Sequence, residues 1–155
     1  MKGNDKVVAM LNDRLAEELT AINQYMVHAE MCEDWGYSKL HEFHYKRSID
    51  EMKHAEKLIE RILFLEGKPT VSVLNKINIG DTPEKQINND HDAEIEAIEL
   101  YNDSIKLAAD CKDFGTKDLL ESILKDEESH LDDLEARIDQ IGQIGIQNYL
   151  VEQIG

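Results

Sequence analysis

The stretches Asp50-Glu51-Met52-Lys53-His54 and Asp126-Glu127-Glu128-Ser129-His130 are two versions of one pattern, set 76 residues apart. In each stretch a glutamate precedes a histidine by three positions. Residues three apart lie on one face of an α-helix, so each stretch predicts two neighbouring side chains of ligand type. The same offset relates Glu18 to Glu94. The chain therefore contains two copies of one helix pair, which indicates two helical hairpins related by a pseudo-twofold axis.

Apolar residues recur at intervals of three and four along most of the chain, as is typical of amphipathic helices. We expect a first helix over about 5–34 and a second over about 39–66. Gly67 and Pro69 then form a helix stop. Short loops join the helices within each hairpin, so the partners should be antiparallel neighbours.

The second hairpin begins at Thr82-Pro83, where threonine suits the N-cap and proline suits the first turn. Its first helix should run to about Cys111. The remaining expected features are a break at 113–116 before a fourth helix, a turn bracketed by Gly142 and Gly145, and a short fifth helix over 146–154.

The connection over 67–82 is long enough to run the length of a bundle. The fold class predicted is all-α: a four-helix bundle with one long crossover and a short C-terminal fifth helix. At 155 residues the chain should form a single domain over 1–155.

The composition limits the partners that this chain can have. Its formal net charge is −16, which disfavours nucleic acid and favours cations. No apolar run is long enough for a membrane span, and the first residues lack the apolar core of a signal peptide. Cys32 and Cys111 form no C-x-x-C motif, so we expect packed thiols in a cytoplasmic protein.

Glu18 and Glu94 fall inside the apolar stripes of their helices. Both glutamate-histidine pairs are in phase with the apolar residues of their own helices, so four glutamates and two histidines should face the bundle interior. Burying four carboxylates without partners is prohibitive. Arg47 and Arg61 offset at most part of that charge. The apolar stripes are Leu11, Leu15, Glu18, Ile22 and Tyr25 in the first helix, and Ile87, His91, Glu94, Ile98 and Tyr101 in the third.

Two divalent cations would neutralise the four carboxylates, with the imidazoles completing the coordination. Mixed glutamate and histidine ligation suits iron or manganese better than calcium or structural zinc. One acid-x-x-histidine pattern alone would be better explained as a solvated helix surface. Two copies, each matched by a glutamate at the same offset, favour a dinuclear metal site with the ligands Glu18, Glu51, His54, Glu94, Glu127 and His130.

Three further residues stand beside this pattern. Tyr25 and Tyr101 follow Glu18 and Glu94 by seven positions, so each could hydrogen-bond a ligand carboxylate or simply pack in the core. Met52 lies one position off the ligand face and should point out of the bundle toward a neighbouring subunit. By spacing alone it is an interface residue.

The chain resembles the bacterioferritins, the haem-containing ferritins, over essentially its whole length. The stretch around Met52 is the specific one. The matching stretches are Met1-Lys2-Gly3, Ala21-Ile22-Asn23-Gln24-Tyr25, Asp34-Trp35-Gly36, Ser48 to Ala55, Ile59 to Gly67, Asn78-Ile79-Gly80 and Asn148-Tyr149-Leu150.

The resemblance implies a ferritin-like bundle whose six metal ligands are those named above, and which oxidises Fe(II) with dioxygen or hydrogen peroxide. It implies storage of ferric mineral inside a homo-oligomeric cage of about 24 subunits built from dimers. It also implies that Met52 is the axial ligand of a haem b shared between two subunits. A small ferredoxin-type reductase would then deliver electrons for iron release.

The sequence departs from that family at several positions. Many relatives carry a histidine and a glutamate where this chain has Lys46-Arg47, and that histidine, with the acid matching Asp50, can hold an extra iron on the inner wall. Here only Asp50 remains, beside two cations, which disfavours an inner-wall iron. Asp133 replaces a common aromatic residue and Lys68 an apolar one, so the reductase contact is also in question.

Other interpretations compete with this one. A ferritin without haem is the closest alternative, and an absorption spectrum separates the two. A di-iron oxygenase usually has a much longer chain, and a di-iron peroxidase of the rubrerythrin type would need paired C-x-x-C motifs. A bundle without catalysis would fail to bind two irons per chain.

Overall fold

The computed structural model describes residues 1–155 as five α-helices without strands. The helices are α1 (Asp5–Asp34), α2 (Ser38–Phe64), α3 (Pro83–Asp110), α4 (Phe114–Ile144) and α5 (Ile146–Val151). Helix α1 packs mainly against α2, and α3 mainly against α4. These pairs are the two expected hairpins, so the predicted fold class is confirmed. None of the helices has the length and apolar character needed to cross a bilayer.

Side-chain caps fix the starts of three of the four long helices. Asn4 caps α1, Thr82 caps α3 with Pro83 following, and Asp113 caps α4. Each cap oxygen accepts an N–H that has no partner inside the helix, as expected for these residue types. The start of α3 is therefore where the sequence predicted it.

Three expected boundaries are wrong. The break before α4 lies at 111–113 rather than 113–116, because Asp113 caps a helix that already begins at Phe114. Gly142 does not bracket a turn, because α4 continues through it to Ile144. The turn is made by Gly145 alone, whose φ of 82° is accessible to glycine at little cost. Helix α5 is also shorter than expected and ends at Val151.

The crossover after α2 is held to α1 by a ladder of hydrogen bonds. Acceptor side chains on one face of α1 receive backbone N–H groups of the extended segment, so these amides are hydrogen-bonded without a sheet. The pairs are Asn12 with Thr70, Thr20 with Asn75, Gln24 with Asn78, and His28 with Gly80. This ladder fixes the crossover over one side of the bundle interior.

The apolar core is divided into two parts. One cluster lies around Leu11, Leu58 and Tyr101, and the other around Leu40, Leu134 and Tyr149. All of these side chains are almost fully buried. Buried polar side chains occupy the helices between the two clusters, and they form the candidate site.

Candidate metal centre

The structure brings the six predicted ligand residues together inside the bundle. Each of the four long helices contributes: α1 gives Glu18, α3 gives Glu94, and α2 and α4 each give one glutamate and one histidine. The exposed fraction is between 1% and 4% for all six residues, Glu18, Glu51, His54, Glu94, Glu127 and His130. The in-phase positions predicted from the sequence thus lie in one buried place.

The six residues divide into two overlapping groups of four. Within each group, one potential ligand atom per residue lies within 4.8 Å of the others. Glu51 and Glu127 belong to both groups, so they are placed to bridge two ions. The first group, position 1, is completed by Glu18 and His54; the second, position 2, is completed by Glu94 and His130.

One atom of each of these residues is buried and has no hydrogen-bond partner. These atoms are Glu18 Oε2, Glu51 Oε1, His54 Nδ1, Glu94 Oε2, Glu127 Oε1 and His130 Nδ1. Buried polar atoms are almost always satisfied, so six together require an explanation.

The spacing of these atoms suits a metal ion. His54 Nδ1 lies 3.0 Å from Glu127 Oε1, and His130 Nδ1 lies 3.1 Å from Glu51 Oε1. Ligands about 2.1 Å from one ion at right angles lie about 3 Å apart. The donor set therefore fits two divalent cations.

The other ring nitrogen of each histidine faces an outer carboxylate on the opposite helix. His54 Nε2 lies 2.8 Å from Asp126, and His130 Nε2 lies 3.2 Å from Asp50. Such a partner fixes a ring with its N–H outward and its other nitrogen toward a metal. The aspartate that precedes the glutamate in each repeat thus orients the histidine of the other repeat.

Two tyrosines hydrogen-bond the terminal glutamates, Glu18 and Glu94, from the opposite hairpin. The hydroxyl of Tyr25 donates to Glu94 Oε1 at 2.6 Å, and that of Tyr101 donates to Glu18 Oε1 at 2.5 Å. Each tyrosine leaves the other oxygen of its partner facing the site. Burial, followed by the charge of the neighbouring glutamate, raises the pKa of both phenols well above the usual value, so both hydroxyls stay protonated.

Without metal the cluster holds protons. Burial raises the pKa of Glu51 and of Glu127 well above the usual value, and neighbouring carboxylates add to the shift. Burial alone would lower the pKa of His54, but contacts with Glu127 and Glu18 raise it instead. Bound cations would have to displace these protons.

Two cavities of similar volume flank the centre. One, of about 480 Å³, opens beneath the crossover and is lined by Glu18, Glu94 and segment 76–79. The other, of about 500 Å³, lies between α2 and α4 and is lined only by polar residues, including both histidine ligands. Ions therefore have an approach on each side of the bundle.

Residues Lys46 and Arg47 line the second cavity. The guanidinium of Arg47 contacts Asp133 at 2.6 Å and Asp50 at 3.5 Å. The carboxylate of Asp50 thus contacts both Arg47 and His130.

A second buried cluster, which the sequence did not predict, consists of His28, His44 and Asp90. The ring Nδ1 atoms lie 3.0 and 3.2 Å from the carboxylate. Because Gly80 N–H donates to His28 Nε2, the proton of that ring is on Nδ1, toward Asp90. His28 therefore anchors the crossover, whereas both ring nitrogens of His44 and Oδ2 of Asp90 are buried without hydrogen-bond partners. His91, expected in the interior stripe, is partly exposed and faces Glu135.

Met52 lies between two ligand residues but points away from them. Its side chain is 42% exposed, as the off-face position predicted. Cys32 is buried, Cys111 is partly buried, and both are free thiols. Burial raises the pKa of Cys32 to about 12, so this thiol is inert at neutral pH.

Comparison with known proteins identifies the family of this chain. A family model described as a ferritin-like domain matches residues 8–144. A bacterioferritin of Rhodobacter capsulatus is 42% identical over 149 residues, covering 96% of this chain and 92% of that protein. Bacterioferritins of Brucella melitensis and Streptomyces coelicolor are 39% and 38% identical, covering 96% and 97% of this chain and 92% and 90% of their own lengths.

These matches run nearly end to end and include the helices that carry all six ligand residues. They confirm the resemblance seen in the sequence and support a role in iron storage. The chain belongs to the ferritin-like family, as a member of the bacterioferritins.

Proposed function

We propose that this protein oxidises Fe(II) at the six-residue centre and stores the ferric product inside a cage of about 24 subunits built from dimers. The observation that carries the proposal is the set of six buried ligand atoms without hydrogen-bond partners. Two Fe(II) ions bring four positive charges to four carboxylates, so the loaded site is neutral. Two adjacent irons can pass two electrons together to dioxygen or hydrogen peroxide.

The protein's own groups have defined roles in this reaction. Glu51 and Glu127 belong to both positions and would be shared by two ions, and each terminal glutamate is held in a single orientation by its tyrosine. Asp50 and Asp126 receive the outer N–H of the histidines and keep the inner nitrogen available. Protons displaced from the carboxylates and His54 leave through the polar cavity between α2 and α4.

An anaerobic Fe(II) titration followed by oxidant tests the proposal. We expect saturation at two irons per chain, and then rapid oxidation of both ions when dioxygen or peroxide is added. Absence of saturable Fe(II) binding, or oxidation no faster than in buffer, would contradict the proposal. The free cysteines suit a reducing compartment, and we propose the cytoplasm.

We further propose that Met52 is the axial ligand of a haem b shared by two subunits, reduced by a ferredoxin-type partner. A thioether is a known haem ligand, and Met52 is exposed on the outside of its hairpin. Exposed apolar side chains on the same two helices, Met26, Val27 and Tyr45, suit a planar apolar group. The haem would supply a path for electrons to the stored mineral.

Substitution of Met52 should slow the release of stored iron without slowing the uptake of Fe(II). We expect Met52→Leu or Met52→His to change or abolish the Soret band and to slow reductive iron release. Fe(II) oxidation should persist, because the substituted side chain points away from the centre. Absorption spectra and release kinetics measure both effects. Spectra identical to those of the unchanged protein would exclude Met52 as the ligand and would favour a ferritin without haem.

The contacts of Arg47 predict that no third iron binds on the inner wall. Asp50 already contacts a guanidinium and His130, and a further divalent ion there would be repelled by Lys46 and Arg47 at a cost of about 1 kcal/mol each. We therefore expect fast anaerobic binding to stop at two irons per chain. The double variant Lys46→His, Arg47→Glu should open a third position and alter slow mineralisation. Metal on Asp50 in an iron-soaked crystal of the unchanged protein would refute this.

A further inference from the structure

The two halves of the metal centre carry opposite charges at one pair of equivalent positions. The 76-residue offset that relates Glu18 to Glu94 also relates Arg14 to Asp90. Each of these residues precedes its terminal glutamate by four positions, one helical turn, and therefore lies on the same face. The ligands and the tyrosines obey the pseudo-twofold symmetry, but this charge does not.

Arg14 is a buried cation without a carboxylate partner. Arg14 is only 7% exposed, and its Nε and Nη1 atoms have no hydrogen-bond acceptor. The guanidinium carbon lies 5.9 Å from the centre of the Tyr101 ring, and the hydroxyl of that ring donates to Glu18. A buried positive charge that is not paired with a carboxylate thus lies behind position 1.

The equivalent residue behind position 2 is a carboxylate. Asp90 is 1% exposed and accepts a hydrogen bond from Gln24 at 2.8 Å. Two histidine rings, His28 and His44, also contact it. Gln24 directly precedes Tyr25, whose hydroxyl donates to Glu94. The buried cation beside position 2, Arg47, is paired with the carboxylates of Asp133 and Asp50, whereas no carboxylate is paired with Arg14.

We propose that Arg14 makes the two metal positions unequal, so that position 2 fills first and position 1 fills only at higher Fe(II). This rests on the proposed function. With an effective dielectric near 20, a unit charge about 10 Å from a divalent ion lowers the affinity for that ion by about tenfold or more. Because rapid two-electron oxidation needs both ions, Arg14 would set the Fe(II) concentration at which oxidation begins.

Anomalous diffraction with Co(II) tests the proposal directly. Metal-free protein is crystallised with one equivalent of Co(II) per chain, without oxygen. We expect the anomalous density to concentrate between Glu94 and His130 in the unchanged protein. In Arg14→Met, which replaces an unpaired buried charge by an apolar chain of similar length, it should divide between both positions. The control Lys106→Gln removes a cation that is 78% exposed on the same helix as Tyr101, and it should match the unchanged protein.

A titration of the same proteins in solution gives the size of the effect. We expect two Co(II) binding steps whose dissociation constants differ by about tenfold or more, and Arg14→Met should strengthen the weaker step by a similar factor. If that variant fails to fold, Asp90→Asn should weaken the tighter step. Equal occupancy in the unchanged protein, or steps unaffected by Arg14→Met, would overturn the proposal. Failure of Co(II) to bind at any of the six ligands would instead overturn the proposed function.

Discussion

Replacement of Glu94 by glutamine should slow the rapid oxidation of Fe(II) by at least about a hundredfold, corresponding to roughly 3 kcal/mol of lost stabilisation. Glu94 supplies a terminal ligand atom and one of the four buried negative charges. The amide is a weaker ligand and leaves the loaded centre with excess positive charge. Stopped-flow absorbance after mixing Fe(II)-loaded protein with dioxygen measures the rate. Glu18→Gln should behave in the same way.

The fold should survive this change. Removing a buried carboxylate relieves repulsion in the metal-free state, so the melting temperature should hold or rise. Glutamine keeps an acceptor for the Tyr25 hydroxyl, whereas Glu94→Ala leaves that group unsatisfied at a cost of about 1–3 kcal/mol. Glu99→Gln, an exposed change on the same helix, is the matched control. Oxidation at the unchanged rate in Glu94→Ala would show that the centre is not where iron reacts.

The fold could be predicted because two independent periodicities agreed. The spacing of apolar residues gave the helices, and the 76-residue repeat gave the pairing of hairpins. The helix end near Gly142 was missed because one glycine costs a helix only about 1 kcal/mol. Packing of Ile141 against the core offsets that cost, and the positive φ at Gly145 ends the helix.

The candidate site could be predicted only in part. Helical phase shows which residues share a face, but not which residue on another helix they meet. The contacts of Asp50 with His130 and of Asp126 with His54 join opposite hairpins. The sequence did mark these two aspartates, because an aspartate begins both repeated stretches. Spacing within one helix could not reveal that these aspartates contact the histidines.

The buried charges outside the ligand set were the least predictable feature. Asp90 was overlooked because His91, the next residue, also fitted the stripe of α3, although the structure leaves His91 partly exposed. Arg14 was overlooked because a single arginine near an apolar stripe usually extends its charged end to water. Only the packing of α1 against α3 shows that its guanidinium stays inside.

Metal binding should stabilise the fold, and the gain should increase with pH. The raised pKa values of Glu51, Glu127 and His54 mean that the metal-free fold favours their protonated forms. Their contribution to the free energy of unfolding is complete below the pKa values of the unfolded chain, 4.5 for glutamate and 6.5 for histidine. It is lost as pH rises from those values towards the raised pKa values of the folded protein. Glu18, whose pKa is lowered by contacts with Glu51 and His54 despite burial, loses its contribution only below pH 4.5. Metal-free protein should therefore become less stable from pH 5 to pH 8.

Zinc should reverse this trend, because its ligands bind it in their deprotonated forms. At a free concentration a hundred times the dissociation constant, each ion adds about 2.7 kcal/mol, and two ions add about 5 kcal/mol. For a domain of this size the melting temperature should rise by about 10–20 °C. Calorimetry with and without Zn(II) should show a difference that widens between pH 5 and pH 8, with protons released to the buffer on binding. Glu94→Gln should reduce that difference and Glu99→Gln should not; a difference that is independent of pH would mean that the ions bind outside the six-residue centre.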